Sequence, residues 1–316
     1  MEILRRLEGR GYPADYLFSR IRGKRASLIK DWSSLLLEVS PREHLASLPR
    51  YAKTEATPEG VWRRLLLEFR WVYSAMDQLL RERLSPFFAY AELRTIFICL
   101  RFIERKDLAK VQELLSASLL SERVQGILTG SSHAASAIDR LGYRFLSISK
   151  VFGRLRKIFD EKGLQGFEEH LTDRYLEYSV TSKIDGTVRD LFLRIIDARN
   201  LLTLEKYLRF KGASPPPFIR GGRIGRTGFE EILEKGDRQA LDSLARRLTG
   251  VETSEIMEHS LYRWITGILR KAGREPLSTA LVLDYLWRSS MEARNLSILL
   301  YGGEIDRDAV ASEMIL

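Results

Sequence analysis

A chain of 316 residues, 45 % hydrophobic and 29 % charged, is too long for one small core and too apolar for disorder, so two or three folded domains are expected. Fifty-one lysines and arginines against 42 acids leave a net charge of +9. That balance suits an acidic partner (nucleic acid, an anionic membrane surface or an acidic protein) without choosing among them, while the single cysteine, Cys99, excludes an intrachain disulfide and a cysteine-based zinc site.

The opening residues, Met1 to Arg6, carry an acid and two arginines and lead into no apolar run of the signal-peptide kind. Ser40-Pro41-Arg42-Glu43 reads as a capping box, in which the serine and the glutamate each satisfy the other's orphan amide. Thr57-Pro58 reads as an N-cap followed by a first-turn proline. From there Trp62, Leu65, Leu66, Phe69, Val72, Tyr73, Met76, Leu79 and Leu80 recur at helical spacing as one apolar stripe, with Arg63, Arg64, Glu68, Arg70 and Asp77 off it. The stretch Ile96 to Leu100, bracketed by Arg94 and Arg101, is the densest apolar run near the middle. It falls far short of the roughly 18 residues of a membrane span, so no transmembrane segment is expected. Weak breaks fall at Thr54 to Gly60 and Thr129 to Ser132. The clearest loop is Lys211 to Gly228, where three prolines and a glycine series permit neither a helix nor a central strand. Ser278, after Pro276-Leu277, is placed to cap a helix through Val282, Tyr285 and Leu286. No run alternates as a strand does, so the class is all-α.

Three segments look alike: Glu92-Leu93-Arg94-Thr95-Ile96, Asp197-Ala198-Arg199-Asn200-Leu201 and Glu292-Ala293-Arg294-Asn295-Leu296. Their arginines stand 105 and 95 residues apart. A helix rich in leucine and aromatics precedes each one, at Trp71 to Leu84, Tyr175 to Lys183 and Tyr262 to Arg270. This is the pattern of one helical bundle used three times, with domains at 1–108, 109–213 and 214–316. An acid and an arginine two residues on diverge around a helix, so each is expected to pair with a neighbouring helix of its own bundle. Arg94, Arg199 and Arg294 are therefore read as structural tethers.

No catalytic, cofactor-binding or metal site is expected. His44, His133, His170 and His259 stand far apart, with no metal-binding spacing. The series Gly222 to Gly228 lacks both a preceding strand and the Gly-Lys-Ser/Thr ending of a phosphate loop. Neighbouring carboxylates at Glu168-Glu169 and Glu230-Glu231 point about 100° apart on a helix and cannot converge on one bond. Cys99 lies in an apolar helix and reads as an inert thiol. Ser131-Ser132-His133 has no nucleophile-elbow context, and Trp62, Trp71, Trp264 and Trp287 read as core. Arginine outnumbers lysine 38 to 13, which suits phosphate recognition and keeps a basic helical nucleic-acid-binding protein as the alternative. Against it, acids are interspersed throughout and no long basic block occurs.

The third segment and its approach, Glu275-Pro276-Leu277-Ser278, Leu283-Asp284-Tyr285-Leu286 and Glu292 to Leu296, resemble the C-terminal signature of the C (d-type) subunit of the archaeal and vacuolar-type rotary ATPases. The run Tyr16 to Arg25 is similar to that family's opening, a tyrosine followed by closely spaced arginines. Asp197 to Leu201 with Tyr207-Leu208-Arg209, and Phe218-Ile219-Arg220-Gly221-Gly222, also fit it. Thr95 stands where the other two segments have asparagine, and Gln112 to Thr172 carries no motif of the family. The resemblance implies three similar helical bundles around a pseudo-threefold axis, forming a funnel. It implies a wide end that receives the D and F subunits of the central stalk, and a narrow end seated on the membrane proteolipid ring. A protein of this kind lies peripherally on the cytoplasmic face and passes torque for ATP-driven ion transport or ATP synthesis. It hydrolyses nothing itself.

Overall fold

A computed structural model of the chain describes residues 3–37, 41–210, 216–250, 256–302 and 307–315. The helices begin with α1 (Ala14–Ala26), α2 (Trp32–Leu37), α3 (Pro41–Ser47), α4 (Pro58–Ala75) and α5 (Gln78–Glu104). They continue through α6 (Leu108–Ala117), α7 (Glu122–Thr129), α8 (Ala134–Ile148), a short 3-10 turn (Lys150–Phe152), α9 (Leu155–Thr181) and α10 (Gly186–Phe210). The last are α11 (Arg226–Lys235), α12 (Arg238–Thr249), α13 (Met257–Ala272), α14 (Thr279–Tyr301) and α15 (Arg307–Glu313). Among the described residues no strand forms, and Leu4 makes one isolated antiparallel bridge to Leu120, so the chain is all-α as expected. No described helix is long and apolar enough to cross a membrane.

Local capping sets most of these boundaries. The Thr57 hydroxyl accepts the Gly60 amide at 3.0 Å, with Pro58 in the first turn, and α4 starts where the sequence places it. The continuous stripe expected from Trp62 to Leu80, and the helix expected from Trp71 to Leu84, are in fact broken. Helix α4 stops at Ala75, and Met76 is extended at φ −74° and ψ 147°. The Asp77 carboxylate then accepts the Leu80 amide at 2.8 Å and opens α5, which turns Leu79 out to solvent. The loop expected to run to Gly228 ends earlier, because α11 already begins at Arg226, whose guanidinium pairs one turn on with Glu230 at 2.6 Å. Ser278 does sit at the N-cap of α14, but its hydroxyl donates to the Glu275 carbonyl at 3.1 Å instead of capping. Ser40, half of the expected capping box, lies outside the described residues.

The chain gathers into two compact units, residues 1–8 with 81–245 and residues 9–80 with 246–316. The boundaries drawn from the sequence at 108/109 and 213/214 both fall inside the first unit.

In the first unit, α9 lies against α8, the 3-10 turn and α10. Phe145, Phe152, Phe167, Leu171, Leu176, Phe192 and Ile196 are buried there, and each fully buried side chain of this size contributes about 1.5–3 kcal/mol. Pro86 sits inside α5 and removes the amide that would reach the Glu82 carbonyl; the Ser85 hydroxyl donates to that carbonyl at 3.0 Å. The carbonyl of Pro86 accepts from the buried Tyr175 hydroxyl at 2.8 Å, which ties α9 to α5.

In the second unit α14 is the hub. It lies against α1, α3, α4, α13 and α15, and every residue from Ala280 to Trp287 is buried. Helices from both ends of the sequence thus share one core, with Trp62, Leu65, Leu66 and Phe69 of α4 and Leu261, Ile265 and Leu269 of α13 buried in it.

Two non-glycine residues of the first unit, Lys106 and Arg154, take the left-handed backbone conformation. Lys106 ends α5 at φ +59°, with the Lys106 and Asp107 amides returning to the Ile103 and Phe102 carbonyls at 3.0 and 2.9 Å. Gly236 ends α11 in the same way, also at φ +59°. The left-handed conformation costs an L-residue about 1–2 kcal/mol and costs glycine little. Lys106→Gly is therefore expected to raise stability by about 1 kcal/mol, read as a higher urea midpoint with an unchanged slope.

Candidate functional site

The most informative geometry lies around the acid of each repeated segment. On α10, Asp197 is fully buried, and its two oxygens accept the amides of Arg223 at 3.2 Å and Ile224 at 3.0 Å. One turn on, the Asn200 side chain grips Ile219 both ways. Its amide donates to the Ile219 carbonyl at 2.9 Å, and its oxygen accepts the Ile219 amide at 2.8 Å. The receiving segment is shaped for this approach. Gly221 has φ +92°, and a side chain on Gly222 would begin 2.3 Å from the Asp197 carboxylate.

The same chemistry recurs on α5 and α14. Glu92, buried in α5, accepts the Leu119 amide at 2.6 Å and the Ser118 hydroxyl at 2.8 Å. The Ser118 oxygen in turn accepts the Leu120 amide at 2.9 Å. Glu292, buried in α14, accepts the Ile29 amide at 2.6 Å and the Tyr51 hydroxyl at 2.5 Å, with Arg50 at 3.5 Å. Asn295 grips Ile315 as Asn200 grips Ile219, at 2.7 and 3.0 Å. Thr95, in the asparagine place of the first segment, is fully buried and cannot make that two-way grip. There the receiving segment is held from the start of the chain, with the Arg5 amide on the Leu119 carbonyl and the Ser121 amide on the Ile3 carbonyl, both at 2.8 Å. In all three cases the acid reaches a short segment that precedes a helix: α2 after Ile29, α7 after Leu120 and α11 after Ile224.

The arginines face the other way. Arg199 binds Asp173 of α9 through two nitrogens at 3.1 and 2.8 Å. Arg294 reaches Glu258 of α13 at 2.8 Å and stacks over the Tyr262 ring at 5.0 Å. Arg94 is exposed on α5. Burial drives the electrostatics of the acids. It lifts Glu92 above the usual carboxylate range, although the Leu119 amide opposes it. It lifts Asp197 to about 6, against the Ile224 and Arg223 amides.

One buried acid escapes the repeat pattern. Glu68, expected off the α4 stripe, is buried on it. The Tyr285 hydroxyl donates to it at 2.8 Å and Lys24 lies at 2.9 Å. Burial alone would raise its pKa, but Lys24, Tyr285 and Arg50 together hold it below its ordinary value. Its position, three residues after Leu65 and four before Val72, is a stripe position, and that spacing was the available signal. Asp284 is likewise enclosed, with Arg25 at 2.8 Å.

Chemically these groups anchor. The oxygens of Glu92, Asp197 and Glu292 accept from fixed donors, and among the described residues no three His, Cys, Asp or Glu side chains gather as a metal site. Burial, with Glu92 nearby, pushes the Cys99 thiol well above its usual range. The side chain of His44 lies outside the described residues.

Two outcomes are expected. Gly222→Ala forces a methyl against Asp197 and Ile196 and costs about 1–3 kcal/mol, whereas Gly225→Ala, with open space at its Cβ, stays within about 0.5 kcal/mol; chemical denaturation compares them. The second concerns pH. Between 3.8 and about 6 the folded chain keeps on Asp197 a proton that the unfolded chain has released. Stability from this site therefore falls as pH rises through that window and is level above it. The difference in unfolding free energy between wild type and Asp197→Asn should shrink across the same window.

Comparison with known proteins fits this geometry. The chain is 33 % identical over 217 residues to the V-type ATP synthase C subunit of one strain of Thermus thermophilus, a match covering 62 % of this chain and 66 % of that protein. The protein of the same name in a second strain of that organism matches to the same extent. The match thus spans just under two thirds of the length of these relatives. The family described as ATP synthase (C/AC39) subunit matches residues 19–310. With that match running over nearly its whole length, the chain belongs to the ATP synthase (C/AC39) subunit family.

Proposed function

We propose that this chain is a non-catalytic coupling subunit of a V/A-type rotary ATPase. In this reading three similar helical bundles, residues 1–108, 109–213 and 214–316, surround a pseudo-threefold axis and form a funnel. The wide end receives the D and F subunits of the central stalk, and the narrow end sits on the membrane proteolipid ring. The protein lies peripherally on the cytoplasmic face and carries torque between the two.

The observation that carries the reading is the third joint. Glu92 and Asp197 each hold a segment that follows about 27 residues later in the chain. Glu292 instead holds the amide of Ile29, in the first of the three repeats read from the sequence. A series of joints from copy to copy that returns to its first member is what a closed ring of three requires. The saturated acids support a mechanical task over a chemical one, and family membership supplies the machine.

A tagged copy purified from solubilised native membranes is expected to bring down both central-stalk and proteolipid subunits, identified by mass spectrometry. A stable free monomer that recovers neither would sink the reading. Retention on heparin with a steep salt dependence would instead favour the nucleic-acid alternative.

A further inference from the structure

Helices α8 and α9 lie against each other and are joined by the 3-10 turn at Lys150–Phe152. Phe145 and Phe152 are buried there, with ring centroids 5.2 Å apart. Side chains around them face out: Tyr143 is 77 % exposed, Leu146 45 % and Val151 37 %. Among the described residues no other stretch of nine exposes three large apolar side chains. Tyr143 and Leu146, three apart, share one face of α8 and, with Phe152, Leu155 and Arg154, line an open groove of about 280 Å³.

The same stretch is basic. Residues 134–162, all of them described, hold seven lysines and arginines against three acids. Those acids are engaged within the stretch: Arg156 meets Asp139 at 2.6 Å and Asp160 at 2.8 Å, and Lys157 meets Glu161 at 3.6 Å. The balance therefore stays positive after every acid of the stretch is counted. His170 of α9, hydrogen-bonded to the Gly153 backbone, feels that surround: burial lowers its pKa, and Arg174, Lys162 and Arg154 push it the same way. Lys150 and Arg154 are both exposed at the turn.

A protein partner is recognised by a pattern of both charge signs around a buried anchor. A layer of anionic headgroups asks for one sign beside an apolar tip, and that is what the turn presents. A tyrosine with its hydroxyl, and the long stems of lysine and arginine, suit a boundary that is apolar on one side and wet on the other.

We propose that this turn docks on an anionic lipid surface, with Tyr143, Leu146 and Val151 entering the headgroup layer and Lys150 and Arg154 meeting the phosphates. The contact goes beyond the coupling role, in which the membrane is reached through the proteolipid ring, and its failure would leave that role untouched.

Cosedimentation of the full chain with vesicles tests it. Saturable binding to phosphatidylcholine vesicles carrying phosphatidylglycerol is expected, with little binding to phosphatidylcholine alone. Lys150→Gln/Arg154→Gly should weaken it about fivefold for each cation removed. Glycine accepts the φ of +67° at residue 154, so this variant is expected to fold. Tyr143→Ser/Leu146→Ser should weaken binding about tenfold or more, and Arg123→Gln, an exposed arginine elsewhere in the first unit, should leave it unchanged. Melting temperature is the control for folding, and should either pair unfold, Lys150→Gln or Tyr143→Ser alone takes its place. Absence of binding to the anionic vesicles, or binding that survives either the charge or the apolar variant, overturns the proposal. Binding to poly-glutamate without binding to vesicles overturns it in favour of an acidic protein partner.

Discussion

The structure depends on a buried carboxylate that holds backbone amides which nothing else satisfies. The segments at Ile29, Leu119 to Leu120 and Arg223 to Ile224 lie between helices, where their N–H groups have neither a helical partner nor a strand ladder. A buried amide left unpaired costs about 1–3 kcal/mol, so the fold must bring an acceptor to it. A carboxylate brings two oxygens on one rigid plane, enough for two donors at once. The cost is desolvation of the acid, visible in the raised pKa of Glu92 and Asp197. At Glu292 the Tyr51 hydroxyl and the nearby Arg50 charge share the load with the Ile29 amide.

Helix geometry explains why the repeated segment carries an acid, an arginine and an asparagine in that spacing. Positions three apart lie on one face, so in α10 Asp197 and Asn200 clamp one segment at two points, while in α14 Glu292 and Asn295 hold two segments, at Ile29 and Ile315. The residue two on from the acid is turned about 200° away and faces outward. That is where Arg199 and Arg294 meet Asp173 and Glu258 on the preceding helix. One short motif therefore reads two neighbours, the backbone on its inner side and a side chain on its outer side. A slip of one residue would swing the acid by about 100° and break both contacts at once.

Much of this was legible in sequence, but not the partners. The helices followed from periodicity and from caps such as Thr57, and the repeat picked out Glu92, Asp197, Asn200, Glu292 and Asn295, which the fold buries. Periodicity failed where the apolar pattern runs on through a break. Met76 and Leu80 continue the α4 spacing although Asp77 has already ended one helix and capped the next. It failed again at Glu68, because a charged residue on an apolar face is read as outward unless its counter-charges are known, and Lys24 and Tyr285 stand 44 and 217 residues away. The meaning of Phe218 to Gly222 was hidden for the same reason. A glycine pair reads as a turn, whereas Gly222 is required by the carboxylate of Asp197, which lies elsewhere in the sequence.

Joints of this kind bear on a mechanical role. An apolar interface alone constrains its members loosely, since one buried methyl can replace another after a small slide. A carboxylate seated on two amides has one register, and any displacement exposes buried donors and a buried charge together. Buried polar contacts add little net stability over an apolar equivalent and are better understood as specifying one arrangement. A coupling element under torque needs that property more than it needs a deep energy well, because compliance between its parts dissipates the rotation it should transmit. In the proposed coupling role, Glu92, Asp197 and Glu292 are the contacts that fix the register of that element.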